Sequence, residues 1–180
     1  AMAHIYIALV DTPRIFAAVI RRFLRQRYVH VVIAADAGLS EAYSVGRRNP
    51  AVPLLAGFER EEKERILRVF PGAFYRVCAL PCTEKQKKKI VEKLRADYDR
   101  RFGIHYAVPG LTFLALGLPF FIKDEYTCSS YTAKILEENG IKISDKHFSL
   151  VTPTDFYEYD GMQVIFEGPL SDLMPEIAYG

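Results

Sequence analysis

The chain has 180 residues, half of them hydrophobic and 26% charged, with 24 Lys and Arg against 22 Asp and Glu. A chain of this length fits one domain, here residues 1–180, and buries about 70% of its unfolded surface. The net charge of +2 comes from basic residues interleaved with acids, which argues against a nucleic-acid partner. Three cysteines, odd in number and irregularly spaced, exclude a disulfide framework and point to a reducing, cytoplasmic setting.

The opening Ala1-Met2-Ala3-His4 leads straight into β-branched and aromatic residues, so a strand over His4–Leu9 is expected and a signal peptide is not. Asp11-Thr12-Pro13 starts a helix through Arg27. Its apolar stripe is Ile15, Phe16, Val19, Ile20 and Phe23, and its solvated face is arginine-rich. Tyr28–Ala35 is apolar on both faces, the mark of a central strand, and Asp36-Ala37-Gly38 turns it into a partner strand over Glu41–Gly46. His30 stands out as an imidazole at the start of an interior strand. A loop is expected over 47–57, then a charged helix or exposed loop over Arg60–Arg68.

Ala73–Leu80 reads as a strand closed by Pro81. Cys78 and Cys82 lack the further ligands of a zinc site, so no metal is expected. Thr83-Glu84-Lys85-Gln86 has the capping-box form and opens the clearest helix, to Phe102, with the stripe Ile90, Val91, Leu94 and Tyr98. His105 is a reserve candidate for a catalytic base. The apolar run Ala107–Ile122 is broken by Pro109, Gly110, Gly117 and Pro119. It falls short of the roughly 20 residues needed to span a bilayer and reads as core or a cleft wall.

Thr127 then caps a helix that ends at Asn139-Gly140. Cys128, Tyr131, Thr132, Ile135 and Leu136 fall on one helical face, so the Cys128 thiol lies on the buried stripe at the helix start. There, unpaired N–H groups and the helix dipole favour a thiolate. Simple packing would suit a cysteine equally well. An extended or loop segment over Ile141–Phe148 holds His147, a helical turn follows Val151-Thr152-Pro153, and Met162–Glu167 is the final strand.

Three stretches together resemble a known pattern: Tyr28-Val29-His30-Val31-Val32-Ile33 with its turn, Glu41-Ala42-Tyr43-Ser44-Val45-Gly46, and Tyr126-Thr127-Cys128-Ser129-Ser130-Tyr131. Their order resembles that of the permuted papain-like cysteine hydrolases, the YiiX-like branch of the NlpC-type superfamily, related to lecithin:retinol acyltransferase-like proteins. Thr152-Pro153-Thr154-Asp155 and Tyr43-Ser44-Val45-Gly46-Arg47 add to the likeness, which runs from about Ile5 to Gly168.

The resemblance implies an α+β, permuted papain-like fold, with a mainly antiparallel sheet against helices and the cysteine at a helix N-terminus. It also implies Cys128 as nucleophile, His30 as general base and Glu41 as the residue that orients His30. Strict pairing about Ala37–Gly38 instead brings Tyr43 nearer to His30, which leaves two candidates for that third place. The expected activity is hydrolysis of a peptide, amide or ester through an acyl-cysteine, without a cofactor. Transfer of a lipid acyl group by the same residues, and a non-catalytic binding protein of the same fold, are the alternatives. Thr127 stands where the peptidases carry Asp, which leaves cell-wall peptide specificity open.

Overall fold

Ile5, Ile7 and Leu9 alternate with Tyr6, Ala8 and Val10 along β1 (Met2–Asp11), and all six are buried. A strand apolar on both faces needs cover on both faces, and β1 has it. The computed structural model describes residues 2–11, 27–47, 56–101, 105–106 and 125–175, with backbone only at 46–47, 56, 105–106 and 125–126. The helix predicted to open at Thr12-Pro13 and the apolar run over 107–122 lie outside the described residues.

The fold is α+β. Antiparallel pairing joins β2 (His30–Ala34), β3 (Ala42–Arg47), β4 (Ala56–Arg60), β5 (Phe74–Thr83) and β8 (Gln163–Pro169) to β1. Two-residue strands β6 (His105–Tyr106) and β7 (Glu125–Tyr126) extend one edge, and the order is β7-β6-β4-β3-β2-β1-β5-β8. Among the described strands only the β6–β7 pair is parallel. Among the described residues there are four α-helices: α1 (Lys63–Val69), α2 (Glu84–Asp99), α3 (Cys128–Glu138) and α4 (Pro153–Glu158).

One face of the sheet, with Ile5, Ile7, Leu9, Val31, Ile33, Tyr43 and Phe58, packs on α2 and α3 through Ile90, Leu94, Tyr131 and Ile135. The other, with Tyr6, Ala8, Val32 and Ala42, is covered by Leu170, Leu173 and half-buried residues of α1. Each fully buried side chain of this size contributes roughly 1.5–3 kcal/mol.

Two predicted boundaries move. β5 runs on through Pro81, which pairs with His4 of β1. β8 follows β5 only as far as Ala79, so on that side no neighbour waits for the N–H that proline lacks. The loop expected over 47–57 yields β4 at its end. Cys78 and Cys82 are buried free thiols of β5.

The helices that frame the site are fixed at their ends. In α2, Thr83 and Gln86 form the predicted capping box, and Gln86 Nε2 also donates to the Asn139 carbonyl at the end of α3, at 2.8 Å. In α3, Thr127 Oγ1 accepts the Ser130 N–H at 3.1 Å and Ser130 Oγ accepts the Thr127 N–H at 2.9 Å. Gly140, at φ +79°, supplies the left-handed stop. The Tyr131 hydroxyl donates to buried Asp97 of α2 at 2.7 Å, locking the two helices together.

Candidate active site

Cys128 is the first residue of α3 and is 7% exposed. The His30 side chain, through hydrogen-bond and charge interactions, and the N–H groups of Val31 and Ser129 favour its thiolate. The two residues joined on paper across 98 positions therefore meet, at the start of β2 and the start of α3. His30 Nε2 lies 3.0 Å from Glu61 Oε1 and 3.1 Å from Ser44 Oγ. With Nε2 committed there, Nδ1 is the nitrogen left for the thiol.

The third partner of His30 is Glu61, and this corrects the expectation for Glu41. The β2–β3 register sets Ile33 opposite Tyr43 and Ala34 opposite Ala42, so Glu41 stands across from Ala35, about 16 Å along the strand from His30. There it accepts two hydrogen bonds from Arg95, at 2.9 and 2.8 Å, and one from the Tyr43 hydroxyl at 2.9 Å. Those partners, Arg95 first, hold its carboxyl below the usual range. Tyr43, the other candidate, faces the opposite side of the sheet and stacks on Phe58 at 5.7 Å.

Glu61 follows β4, and its N–H donates to the Ala42 carbonyl at 2.8 Å. Pairing of Ser44 with Glu59 puts Ser44 and Glu61 on the same face as His30. Of the remaining histidines, His147 caps a 3-10 turn and bonds Ser149 Oγ at 2.7 Å. The side chain of His105, the reserve base, lies outside the described residues.

The electrostatics favour an ion pair. Burial opposes charge on His30, but hydrogen bonds and charge from Cys128 and Glu61 prevail and raise its pKa to about 10. Burial likewise opposes the thiolate. The His30 hydrogen bond and charge, with the two backbone donors, still bring Cys128 below its ordinary 9.0. Glu61 is also lowered: burial works against its charge, and His30 and then Ser44 outweigh it. Thiolate, imidazolium and carboxylate thus stand in line.

This has a consequence for stability. Lowering Cys128 contributes stability that is present above its ordinary 9.0 and lost as pH falls through its folded value. Above 9.0 the unfolded thiol loses its proton while folded His30 keeps one until about 10, so stability falls as pH rises. Raising His30 contributes stability that is whole below 6.5 and lost as pH rises through about 10.

In Cys128→Ala, His30 loses the hydrogen bond and charge of Cys128, so it gives up its proton at lower pH than in the wild type. Urea midpoints across pH 5–10.5 are expected to begin their alkaline descent at lower pH in Cys128→Ala than in the wild type, at up to about 1.4 kcal/mol per pH unit. Descents that coincide would refute the ion pair.

Compared with protein-family models, curated proteins and solved structures, the chain matches none. Among the described residues no helix is long and apolar enough to cross a membrane.

Proposed function

We propose that this chain is a cysteine hydrolase of permuted papain-like arrangement that cleaves an amide or ester through an acyl-cysteine on Cys128. The observation that carries the reading is the His30 ring, bonded to Glu61 at 3.0 Å and interacting with Cys128 at the start of α3 so that its thiolate is favoured. A nucleophile, a base within hydrogen-bond reach and a group that orients the base are the parts such chemistry needs. The histidine strand precedes the cysteine helix in the chain, with an antiparallel sheet behind both, which supports the permuted arrangement.

In the reaction, the Cys128 thiolate attacks the substrate carbonyl carbon, forming the C–S bond as the carbonyl π electrons move to oxygen. The Cys128 N–H, the first of α3, is the expected donor to that oxyanion. As the tetrahedral adduct collapses, the C–N or C–O bond breaks, and the His30 imidazolium gives its Nδ1 proton to the departing amine or alcohol. His30, now neutral, takes a proton from water as the water oxygen attacks the acyl-cysteine. The C–S bond then breaks and the thiolate leaves beside a renewed imidazolium. Glu61 accepts from Nε2–H throughout and keeps the ring facing the sulfur.

The test offers peptide, amide, ester and lipid acyl donors to wild type and to Cys128→Ala, and reads product release and the mass of trapped acyl-enzyme. The expected outcome is an acyl adduct on Cys128 from at least one donor class, with turnover abolished in Cys128→Ala. A donor turned over equally by both proteins, or the absence of any Cys128 adduct across the panel, would overturn the reading.

A further inference from the structure

We propose that Ser44 is a positioning residue of this site, setting the orientation and protonation of His30 through a closed triangle with Glu61. The inference rests on the thiol–imidazole reading above and deepens it. Ser44 is 1% exposed, and its hydroxyl donates to Glu61 Oε1 at 2.5 Å. Ser44 Oγ also lies 3.1 Å from His30 Nε2, which is itself 3.0 Å from Glu61 Oε1.

The proton count leaves one arrangement. A carboxylate only accepts, and the single Ser44 proton goes to Glu61. Nε2 must therefore carry a proton and share it between Glu61 Oε1 and Ser44 Oγ. A ring held by one acceptor can swing about that bond, whereas two acceptors from different strands fix its plane. Fixing the plane fixes where Nδ1 points, and Nδ1 is the nitrogen that serves the thiol.

Strand register builds the triangle. Ser44 follows Tyr43, the partner of Ile33, and so stands opposite Val32, one step diagonally from His30. Glu59, its partner on β4, lies two residues before Glu61. A one-residue slip of either pairing would send Ser44 or Glu61 to the other face. Among the described residues, the other ionisable groups that interact electrostatically with this cluster are Cys128 from α3, Arg65 from α1 and Tyr75 from β5. None of these can replace Ser44, because it alone joins both members of the pair through a neutral hydroxyl.

The test needs no substrate. Iodoacetamide labelling of Cys128 is followed from pH 4 to pH 10, with the 15N spectrum of His30, in wild type, Ser44→Ala and Ser44→Thr. Loss of one hydrogen bond to a charged pair is expected to slow Cys128 labelling near neutrality by roughly tenfold in Ser44→Ala. Its acid limb is expected to move to higher pH, and the His30 titration to lower pH. Ser44→Thr, which keeps the hydroxyl, restores both. Because the 15N titration reports on the ring itself, it decides the matter on Ser44→Ala alone if the threonine methyl is not accommodated.

A Ser44→Ala labelling profile and His30 titration that superimpose on the wild type would make Ser44 a packing residue and overturn this proposal, leaving the reaction reading intact. Wild-type Cys128 that labels like an ordinary buried thiol would overturn both.

Discussion

His30→Ala is expected to slow alkylation of Cys128 at pH 7 by about tenfold to a hundredfold. The limit comes from thiolate fraction: a thiol returned to its ordinary 9.0 is only about 1% ionised at pH 7, whereas the wild-type thiol is lowered by its bond to His30. The full factor is not reached, because a thiolate of lower pKa is intrinsically less nucleophilic. Burial, which opposes the thiolate, and the N–H groups of Val31 and Ser129, which favour it, act on the sulfur after the substitution as before.

Acyl transfer should suffer more than alkylation, since His30 also delivers the proton to the leaving group, a role worth typically 10²–10⁴-fold. The measurement is iodoacetamide kinetics against pH, with Cys128→Ala as the blank for Cys78 and Cys82. Both of those thiols are buried and their pKa values raised, so their background is low. An unchanged acid limb in His30→Ala would mean that the thiol owes nothing to the imidazole.

The contrast between what was legible and what was not follows from the range of each signal. The α3 helix could be read because its cap, its 3.6-residue stripe and its stop all lie within a few residues of one another. Thr127, the five stripe residues and Gly140 behave as that pattern requires. β1 and β2 were legible because continuous apolar runs have few other uses. The third member of the site was not.

Its identity depends on the β2–β3 register and on a strand, β4, whose only large apolar residue is Phe58. Four glutamates, at 59, 61, 62 and 64, crowd that segment, and no local pattern separates the one that faces His30 from three that do not. The resemblance points to Glu41 because it implies an orienting residue on the strand that follows the histidine. The turn, where Asp36 accepts the N–H groups of Ser40 and Glu41 at 3.0 and 2.9 Å, holds it at the far end of the hairpin.

That correction leads to the most discriminating comparison, between Glu61 and Glu41. Glu61→Leu is expected to cut acyl transfer by about 10²-fold or more, within the range for losing the control of a catalytic base. Glu41→Gln is expected to leave it unchanged while weakening the tie to Arg95, a surface pair whose arginine is 62% exposed and screened by solvent. Glu61→Gln falls between the two, because its amide oxygen can still accept from Nε2–H but no longer supplies charge.

The pH profile separates charge from geometry. Glu61 helps raise His30 to about 10, so both Glu61 variants should lose the imidazolium earlier on the alkaline side, and the descending limb moves toward neutrality. On the acid side a less stable imidazolium supports the thiolate less, and the rising limb moves up, so the active window narrows from both ends. Only Glu61→Leu should add a fall in the maximum itself, because only there is Nε2–H left with Ser44 as its sole acceptor. A Glu41→Gln variant that loses acyl transfer while Glu61→Leu retains it would mean that the working partner of His30 is not the carboxylate bonded to its Nε2.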